Sequence, residues 1–277
     1  MITQHPVIIV TGATGAVGSA TAQLLVRRGA HVVLLARASS RLDALVKRLS
    51  AGDGRVESVP VDLSSMASVR AAAREIKRGG GHVDALLNVA AVFTPRYQRT
   101  AEGFELMLAT NHLGPFLLIN LLRDRLIRAG RVIMVSAPST TRVDIDRLLD
   151  KYRFNALHSF GATKAANLMF TFELARRAHR WDVRANAFHP GLVRSELMKE
   201  APRGLRVLTR LISRKPERAG EDLAELALSP ARAGTTGWFF KGTRRIDPPK
   251  QSLDLGQQEA LWKRSAEMVE LEPGAGF

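Results

Sequence analysis

Short, continuously apolar segments alternate with longer segments of helical periodicity from the start of the chain. Residues 7–11, Val-Ile-Ile-Val-Thr, predict a buried strand, and a helix is predicted over residues 16–28. Strands that are apolar at every position are typical of a parallel sheet covered by helices on both faces. Further strands are predicted over residues 31–35, 55–61, 83–88, 131–136, 182–188 and 236–240. Further helices are predicted over residues 40–50, 65–78, 101–128 and 156–179.

This strand–helix alternation continues along nearly the whole chain, without an internal repeat, a low-complexity segment or a linker. Regular βαβ units pack as one sheet between two helical layers. We therefore predict an α/β fold, a single-domain Rossmann-type doubly wound parallel sheet that spans residues 1–277.

The amino-acid composition excludes several classes of protein function. The chain of 277 residues contains no cysteine, which excludes disulfides, cysteine-ligated metal centres and a thiol nucleophile. We predict no metal site. The N-terminal residues lack the pattern of a signal peptide, and no run of about 18 apolar residues predicts a membrane span. A cytoplasmic location without a membrane partner is the expectation.

The charge balance is strongly positive. The formal net charge is +15, from 41 basic and 26 acidic residues. A basic surface is one signature of nucleic-acid binding. Here the basic residues are spread along the chain with few aromatic residues among them, so we interpret them as dispersed surface charge. No nucleic-acid partner is predicted.

A glycine-rich turn connects the first predicted strand to the first helix. Its sequence is Thr-Gly-Ala-Thr-Gly-Ala-Val-Gly over residues 11–18. Such a turn lets the backbone approach a diphosphate, and the helix N-terminus supplies N–H donors. We expect Gly12 to form the tight turn, Gly15 to allow the close approach, and Gly18 to let helix and strand pack together. The predicted dinucleotide-binding positions here are Gly12, Thr14, Gly15, Val17 and Gly18.

The end of the second predicted strand bears on the choice of cofactor. An acidic residue there binds the ribose 2′-hydroxyl of NAD, whereas a nearby arginine accommodates the 2′-phosphate of NADP. The chain has Arg37 at this place and no acid before Asp43. NADP(H) is therefore predicted over NAD(H), with Ser39 and Arg41 as helpers. The alternative is that Arg37 only ends a surface strand.

Asp62 follows the third predicted strand and has two possible roles. Its carboxylate is placed to bind the adenine amino group. It is also placed to cap the following helix, a role that Ser64 could fill instead.

Several motifs together carry a family resemblance. They are the glycine-rich loop, Val61-Asp62-Leu63, Asn111-His112-Leu113-Gly114, Lys164 opening a long helix, and His189-Pro190-Gly191-Leu192-Val193-Arg194. With them the chain resembles the short-chain dehydrogenase/reductase family, especially its retinol-dehydrogenase-like branch, over about residues 6–270. One departure is that the family's usual middle glycine falls at Ala16, with Gly15 just before it.

The resemblance implies four catalytic residues, of which the Lys and the Asn are retained and the Tyr and the Ser are replaced. It implies that Lys164 holds the nicotinamide ribose and that Asn111 supports a water-linked proton relay. The family's proton-transferring Tyr, four residues before the Lys, is Phe160 here. The family's Ser, which binds the substrate oxygen, is Ala137, and the family's Asn-Asn-Ala-Gly segment is replaced by Asn-Val-Ala-Ala from Asn88.

The resemblance also implies further contacts to the cofactor. Val193 is expected to present its backbone to the nicotinamide carboxamide, and Ser195 takes the place of the family's usual Thr near the diphosphate. His189 is interpreted as structural. These additional positions are Leu63, Asn88, Pro190, Gly191, Val193 and Ser195.

Phe160 has no hydroxyl and cannot transfer a proton, and loss of a general acid commonly costs about 10²- to 10⁴-fold in rate. Three explanations remain open. The two positions were altered by design, another side chain replaces the Tyr, or the chemistry needs no proton on a carbonyl oxygen. The candidate substitutes are Tyr152 first, and then Tyr97, Ser136, Ser139, His158 and Ser159.

Residues 194–216 separate the sixth strand from the next helix and predict a substrate lid. Leucines and arginines alternate there at helical spacing, so an amphipathic basic helix lying on a membrane is the alternative. The predicted helices 101–128 and 156–179 resemble the family's dimer-forming helices, which makes a homodimer possible.

The leading hypothesis is an atypical NADP(H)-binding enzyme that acts on a hydrophobic small molecule. Hydride transfer to an activated C=N or C=C group, or to a carbonyl with a non-standard proton donor, fits the retained Lys164 and Asn111. A cyclase or isomerase that uses the cofactor as a scaffold is one alternative. A non-catalytic NADP(H)-sensing protein is another.

Overall fold

The computed structural model describes residues 5–51, 55–193, 214–272 and 276–277. Within these residues, eight strands form one sheet. In chain order they are β1 (Val7–Thr11), β2 (His31–Ala36), β3 (Val56–Pro60), β4 (Ala85–Asn88), β5 (Arg131–Val135), β6 (Arg184–His189), β7 (Phe239–Lys241) and β8 (Arg244–Ile246). The spatial order is β3-β2-β1-β4-β5-β6-β7-β8. All neighbouring pairs are parallel except β7 and β8, which are antiparallel.

Helices cover both faces of this sheet. In chain order they are α1 (Ala16–Arg27), α2 (Ser40–Leu49), α3 (Met66–Arg78), α4 (Leu106–Leu108), α5 (Gly114–Leu121), α6 (Arg123–Leu126), α7 (Ile145–Leu149), α8 (Ala156–Arg177), α9 (Pro216–Leu228) and α10 (Leu255–Met268). A π-helical segment, Ala109–Leu113, joins α4 to α5. Short 3₁₀ turns lie at Lys151–Arg153, Ala178–Trp181, Pro230–Arg232 and Lys250–Leu253.

Two apolar core layers lie on opposite faces of the sheet. Along β1, Ile8 and Val10 pack with helices α1, α2 and α9, whereas Ile9 packs with α3, α5 and α8. Alternate residues of a strand point to opposite faces, so a strand covered on both sides must be apolar throughout. This burial explains the continuous apolar runs of the sequence and confirms the predicted doubly wound α/β fold.

The strand order reverses between β1 and β4. From β1 the chain moves outward through β2 to β3, and it then returns to β4 on the other side of β1. Ligands of doubly wound sheets bind beyond the carboxyl ends of the strands at such a reversal. The turns that follow Thr11 and Asn88 therefore border the expected binding crevice.

The predicted helix over 101–128 is wrong as a single element. The Glu105 side chain accepts hydrogen bonds from the backbone N–H groups of Met107 and Leu108, so the helix begins at Leu106. After α4 the backbone hydrogen bonds change to the π-helical pattern over the π segment. Helix α5 follows with a Pro in its N-terminal turn, and it ends before the separate helix α6 begins. The break follows from local capping, which hydrophobic periodicity does not register.

The edge beyond β6 also differs from the prediction. The strand predicted over 236–240 begins only at Phe239, because Gly237 has φ +70° and is therefore not extended. The short antiparallel β8 and the helix α10 were not predicted. Most of the predicted lid over 194–216 lies outside the described residues. Within the described parts of the chain, no helix is both long and apolar enough to cross a membrane.

A turn before β5 holds two non-glycine residues at positive φ. Arg128 has φ 67° and Ala129 has φ 81°. Their N–H groups bond to the carbonyls of Trp181 and Asp182, which holds the turn in place. The left-handed conformation costs an L-residue about 1–2 kcal/mol, and Gly avoids that cost.

We expect Ala129→Gly to raise the free energy of unfolding by about 0.5–1 kcal/mol, because Ala129 is exposed and its methyl contributes little packing. Urea unfolding measures the change. The matched control is Ala71→Gly on the exposed face of α3, which should destabilise by about 1 kcal/mol. A loss of stability in Ala129→Gly as large as that in the control would contradict the assignment of strain to this turn.

Candidate active site

The glycine-rich turn lies between β1 and α1 and packs closely against the end of β4. Gly12 has φ +63°, and a Cβ there would lie 2.7 Å from the Ala90 Cα. A Cβ on Gly18 would collide with the Gly12 carbonyl oxygen. The Thr11 hydroxyl accepts hydrogen bonds from the N–H groups of Val89 and Ala90, at 3.1 and 3.2 Å. The turn is therefore tied to the neighbouring strand and has no room for side chains at Gly12 and Gly18.

The N-terminus of α1 carries no protein anion. Gly15 is its N-cap, without a side-chain hydrogen bond, and the first turn holds no acidic residue. Helix N-terminal N–H groups and the helix dipole favour a negatively charged ligand. Close by, the Asn88 side chain is buried, and neither its Nδ2 nor its Oδ1 has a partner in the described structure. A buried amide is normally paired, so the crevice suits a polar, phosphate-bearing ligand.

Arg37 follows β2 and is exposed, which leaves its guanidinium accessible beside the crevice. Ser39 caps α2 by accepting from the Leu42 N–H at 3.4 Å. Its hydroxyl also donates to the Arg37 carbonyl at 3.2 Å. The predicted helper role of Ser39 toward a phosphate thus competes with helix capping.

Neither predicted cap of α3 is correct. Ser65 is the N-cap, and its hydroxyl accepts from the Ser68 N–H at 3.3 Å. Asp62 instead accepts hydrogen bonds from the N–H and the hydroxyl of Ser64, at 2.9 and 2.7 Å. This local turn orients the half-buried Asp62 carboxylate, and its role toward adenine stays a prediction. Leu63 is buried, and its carbonyl leaves no room for a Cβ at Gly114.

Asn111 lies in the π-helical segment and is fully buried. Its Oδ1 accepts from the Val92 N–H at 2.7 Å. Its Nδ2 donates to the Val92 carbonyl at 3.0 Å and to the Thr163 hydroxyl at 3.2 Å. The amide thus links the loop after β4 to α8. Single π turns inside helices are frequent at functional sites.

Lys164 and Phe160 lie one turn apart on α8, whose N-cap is Asn155. Lys164 is in the third turn of the helix, and it is buried. Its Nζ lies 5.3 Å from the centroid of the Phe160 ring. Burial lowers the pKa of Lys164 to about 8. The Phe160 ring in turn packs edge-on against Phe93, with centroids 5.7 Å apart.

The loop after β5 places Ala137 beside these residues. The Ser136 hydroxyl donates to the Lys164 carbonyl at 2.7 Å, which fixes β5 to α8. Ser139 accepts from the Thr141 N–H at 3.2 Å. A Cβ on Gly161 would collide with the Thr141 hydroxyl, so the loop packs directly on the helix. Gly161 was not singled out from the sequence.

The candidate substitutes for the tyrosine lie in different surroundings. Tyr152 is 87% exposed and its ring lies against the Lys151 ammonium, and its role as proton donor stays a prediction. The Tyr97 hydroxyl donates to the Leu149 carbonyl at 2.9 Å. Ser159 is buried, and burial lowers the pKa of His158.

The turn after β6 is fixed by a residue that sequence reasoning assigned to the lid. Gly191 has φ +78°. The Arg214 N–H donates to the Leu192 carbonyl at 2.6 Å, and its guanidinium donates to the Pro190 carbonyl at 3.3 Å. Val193 is half-buried and pairs with Arg214 in an isolated β-bridge. Nothing in the sequence spacing indicated this contact.

Ser195 was predicted to lie near the diphosphate, and His189 was interpreted as structural. Ser195 lies outside the described residues. His189 ends β6, half-buried, and burial lowers its pKa.

An apolar cluster surrounds the Phe160 ring. It is built on Phe93 and Met107, and its other members pack around them. These others are Val92, Phe154, Ala156 and Phe160. The cluster adjoins Asn111 through Val92 and Lys164 through Phe160, so the site combines one buried cation with apolar walls.

Fold and site together define a nicotinamide-dependent oxidoreductase. The family described as short chain dehydrogenase matches residues 6–205. The chain belongs to this family. It is 33% identical to retinol dehydrogenase 13 of Homo sapiens over 280 residues, which cover 96% of this chain and 85% of the relative.

Other relatives support the same class. A Streptomyces sp. (strain C5) protein named "Putative daunorubicin C-13 ketoreductase" is 32% identical over 268 residues, with 95% of this chain and 92% of that protein covered. Among solved structures, an uncharacterized protein of Mycobacterium paratuberculosis superimposes with a TM-score of 0.75 at 29% identity, covering 98% of this chain and 95% of that one. The chain is thus a retinol-dehydrogenase-like oxidoreductase whose relatives act on small molecules.

Proposed function

We propose that this protein is an NADP(H)-dependent reductase of hydrophobic small molecules that works without the family's tyrosine and serine hydroxyls. One observation carries the proposal. Phe160 packs in an apolar cluster and lies directly against the buried Lys164 ammonium, at the position that the family resemblance assigns to the tyrosine. The cation that serves the cofactor is retained, whereas the adjacent proton donor is absent.

The cofactor half of the crevice supports NADP(H) binding. The turn at Gly12 and the uncapped N-terminus of α1 would hold the diphosphate, and the unpartnered Asn88 amide would satisfy a polar group of the bound nucleotide. The accessible Arg37 guanidinium would pair with a 2′-phosphate. When bound, the reduced nicotinamide supplies a hydride. Lys164 would fix the nicotinamide ribose.

The substrate half of the site supports a hydrophobic ligand. Three of the large apolar side chains that are exposed in the described structure lie near site residues in the sequence. Tyr152 and Leu157 precede Phe160, and Leu192 follows Gly191. Exposed apolar groups next to a crevice commonly mark a binding surface. The names of the relatives, retinol dehydrogenases and a ketoreductase, indicate alcohol–carbonyl chemistry. An activated C=C or C=N group is the further substrate class that needs less help from a proton donor.

The test is NADPH and NADH oxidation by the purified chain with hydrophobic ketones, imines and enones. We expect turnover with NADPH and a weaker response to NADH. In Arg37→Glu, the KM for NADPH should rise about 10- to 100-fold, since a charge-assisted hydrogen bond contributes about 1.5–3 kcal/mol. The matched control is Arg48→Glu, an exposed charge reversal toward the far end of α2.

An unchanged KM for NADPH in Arg37→Glu would contradict the assignment of the 2′-phosphate site. Tight NADPH binding without oxidation of the cofactor by any substrate class would overturn the reductase and favour a scaffold or sensing role.

A further inference from the structure

Reduction of a carbonyl needs a proton as well as a hydride, because the oxygen gains negative charge as the C–H bond forms. Three of the candidate hydroxyls are poorly placed to supply that proton. The Ser136 hydroxyl donates to the Lys164 carbonyl, and the Tyr97 hydroxyl donates to the Leu149 carbonyl. Tyr152 is 87% exposed.

The Lys164 ammonium is a buried acid that lies beside the Phe160 ring. Its Nζ faces the Phe160 ring at 5.3 Å from the centroid, and the side chain is 5% exposed. Phe has the shape of Tyr without the hydroxyl, so its ring offers no hydrogen-bond donor to a substrate oxygen. The ammonium beside the ring has three N–H donors.

The surroundings of Lys164 hold few charges. Burial is the sole cause of its lowered pKa. Titratable groups on α8 or on elements that pack against it include His158 on α8, His112 on the π segment, His189 on β6 and Glu105 before α4. Burial lowers the pKa of each histidine and raises that of Glu105. Asp144 and Arg147, at α7, act on His158. Nothing in this described shell holds the Lys164 proton as a paired carboxylate would.

We propose that the Lys164 ammonium supplies the proton that accompanies hydride transfer, directly or through one water, in place of the absent tyrosine hydroxyl. The inference rests on the proposed function. The substrate carbon gains a hydride, which carries two electrons, from NADPH, which becomes NADP⁺. The substrate oxygen gains the proton from Nζ, the C=O double bond becomes a C–O single bond, and the neutral amine is reprotonated from water.

The first measurement is the pH profile of kcat for NADPH-dependent reduction. Because the pKa of Lys164 is lowered to about 8, the acid is protonated below that pH. The rate of reduction should be constant at lower pH and should fall about tenfold for each pH unit above the pKa. A rate that stays constant up to about pH 10 would overturn the proposal.

The second measurement is Lys164→Arg, which keeps the positive charge. Arginine cannot give up a proton in this pH range, so kcat should fall about 10²- to 10⁴-fold while the Kd for NADPH changes little. Adding Phe160→Tyr to Lys164→Arg should restore kcat, because the phenol then supplies the proton. A purely structural defect would not be rescued in this way, and fluorescence titration of NADPH reports folding and binding of each variant.

The outcomes separate the two proposals. No NADPH oxidation by the unmodified chain overturns the proposed function and this step with it. Oxidation that persists at full kcat in Lys164→Arg overturns the role of Lys164 alone. The same holds if the Phe160→Tyr change fails to rescue a Lys164→Arg protein that binds NADPH normally.

Discussion

Replacing Phe160 with Tyr and Ala137 with Ser is expected to raise kcat/KM for ketone reduction by about 10²- to 10⁴-fold. The Phe160 ring faces the Lys164 Nζ, and Ala137 follows Ser136, whose hydroxyl bonds to the Lys164 carbonyl. A tyrosine beside that cation would have a lowered pKa and could donate a proton. A serine would add a hydrogen bond to the developing oxyanion, worth about 10²- to 10³-fold where such donors have been removed.

The measurement is NADPH oxidation at saturating cofactor, with each single substitution as the matched control. Phe160→Tyr alone should give the larger part of the increase, because a phenol at this position is a better-placed proton donor than the Lys164 ammonium. Ala137→Ser alone should give little, because it orients the oxygen but leaves proton transfer to Lys164 unchanged. Equal rates in the original chain and the double variant would show that the missing hydroxyls do not limit ketone reduction.

Acidification is expected to remove about 2–3 kcal/mol of stability through His112 alone, between about pH 7.5 and pH 4.5. This histidine is buried, with Nδ1 3.1 Å from the Asn167 Oδ1 and Nε2 2.9 Å from the Ser265 hydroxyl. Burial lowers its pKa to about 4. The Asn167 Nδ2 donates to the Asn111 carbonyl, so its Oδ1 is an acceptor. His112 therefore carries its proton on Nδ1 and accepts from Ser265 at Nε2.

The lowered pKa of His112 determines that stability falls as the pH falls. The pKa of His112 is lower in the folded chain than in the unfolded chain, where it is about 6.5. The unfolded state therefore binds the proton first as the pH falls. The contribution of the neutral imidazole is complete above the unfolded pKa and is lost between it and the folded pKa of about 4.

Urea unfolding at several pH values tests this, with His112→Gln as the variant and His179→Gln at an exposed site as the control. The acid-dependent loss of stability should be smaller in His112→Gln by about 2–3 kcal/mol and unchanged in the control. Identical pH dependence in all three proteins would place the acid sensitivity elsewhere.

Much of the fold follows from patterns that short segments carry by themselves. The apolar run of β1 and the glycine-rich turn after it need no distant contact to be recognised. The break of the predicted helix over 101–128 could not be predicted from such a local pattern. It depends on Glu105 capping a helix from within the core and on Asn111 bonding to Val92, and both are three-dimensional arrangements.

In the site, too, residues within motifs were predicted, whereas contacts between distant segments were not. Lys164 and Asn111 were identified through motif resemblance, and their burial agrees with positions that bear chemistry. The contact of Arg214 with the Pro190 and Leu192 carbonyls was missed, because it joins segments separated by a long connection. The bond from Asn111 to Thr163 was missed for the same reason. Hydrophobic periodicity predicts where a helix lies in the sequence, but it does not predict which residues its polar side chains contact.

The hydrogen bond between Ser136 and the Lys164 carbonyl has a consequence for how this scaffold tolerates change. It joins the end of β5 to α8 through a backbone atom, so the backbone at Lys164 is held without help from the side chains at 137 and 160. We therefore expect substitutions at those two positions to leave the fold of this region unchanged. Variants at 137 and 160 would then report changes in chemistry rather than changes in folding.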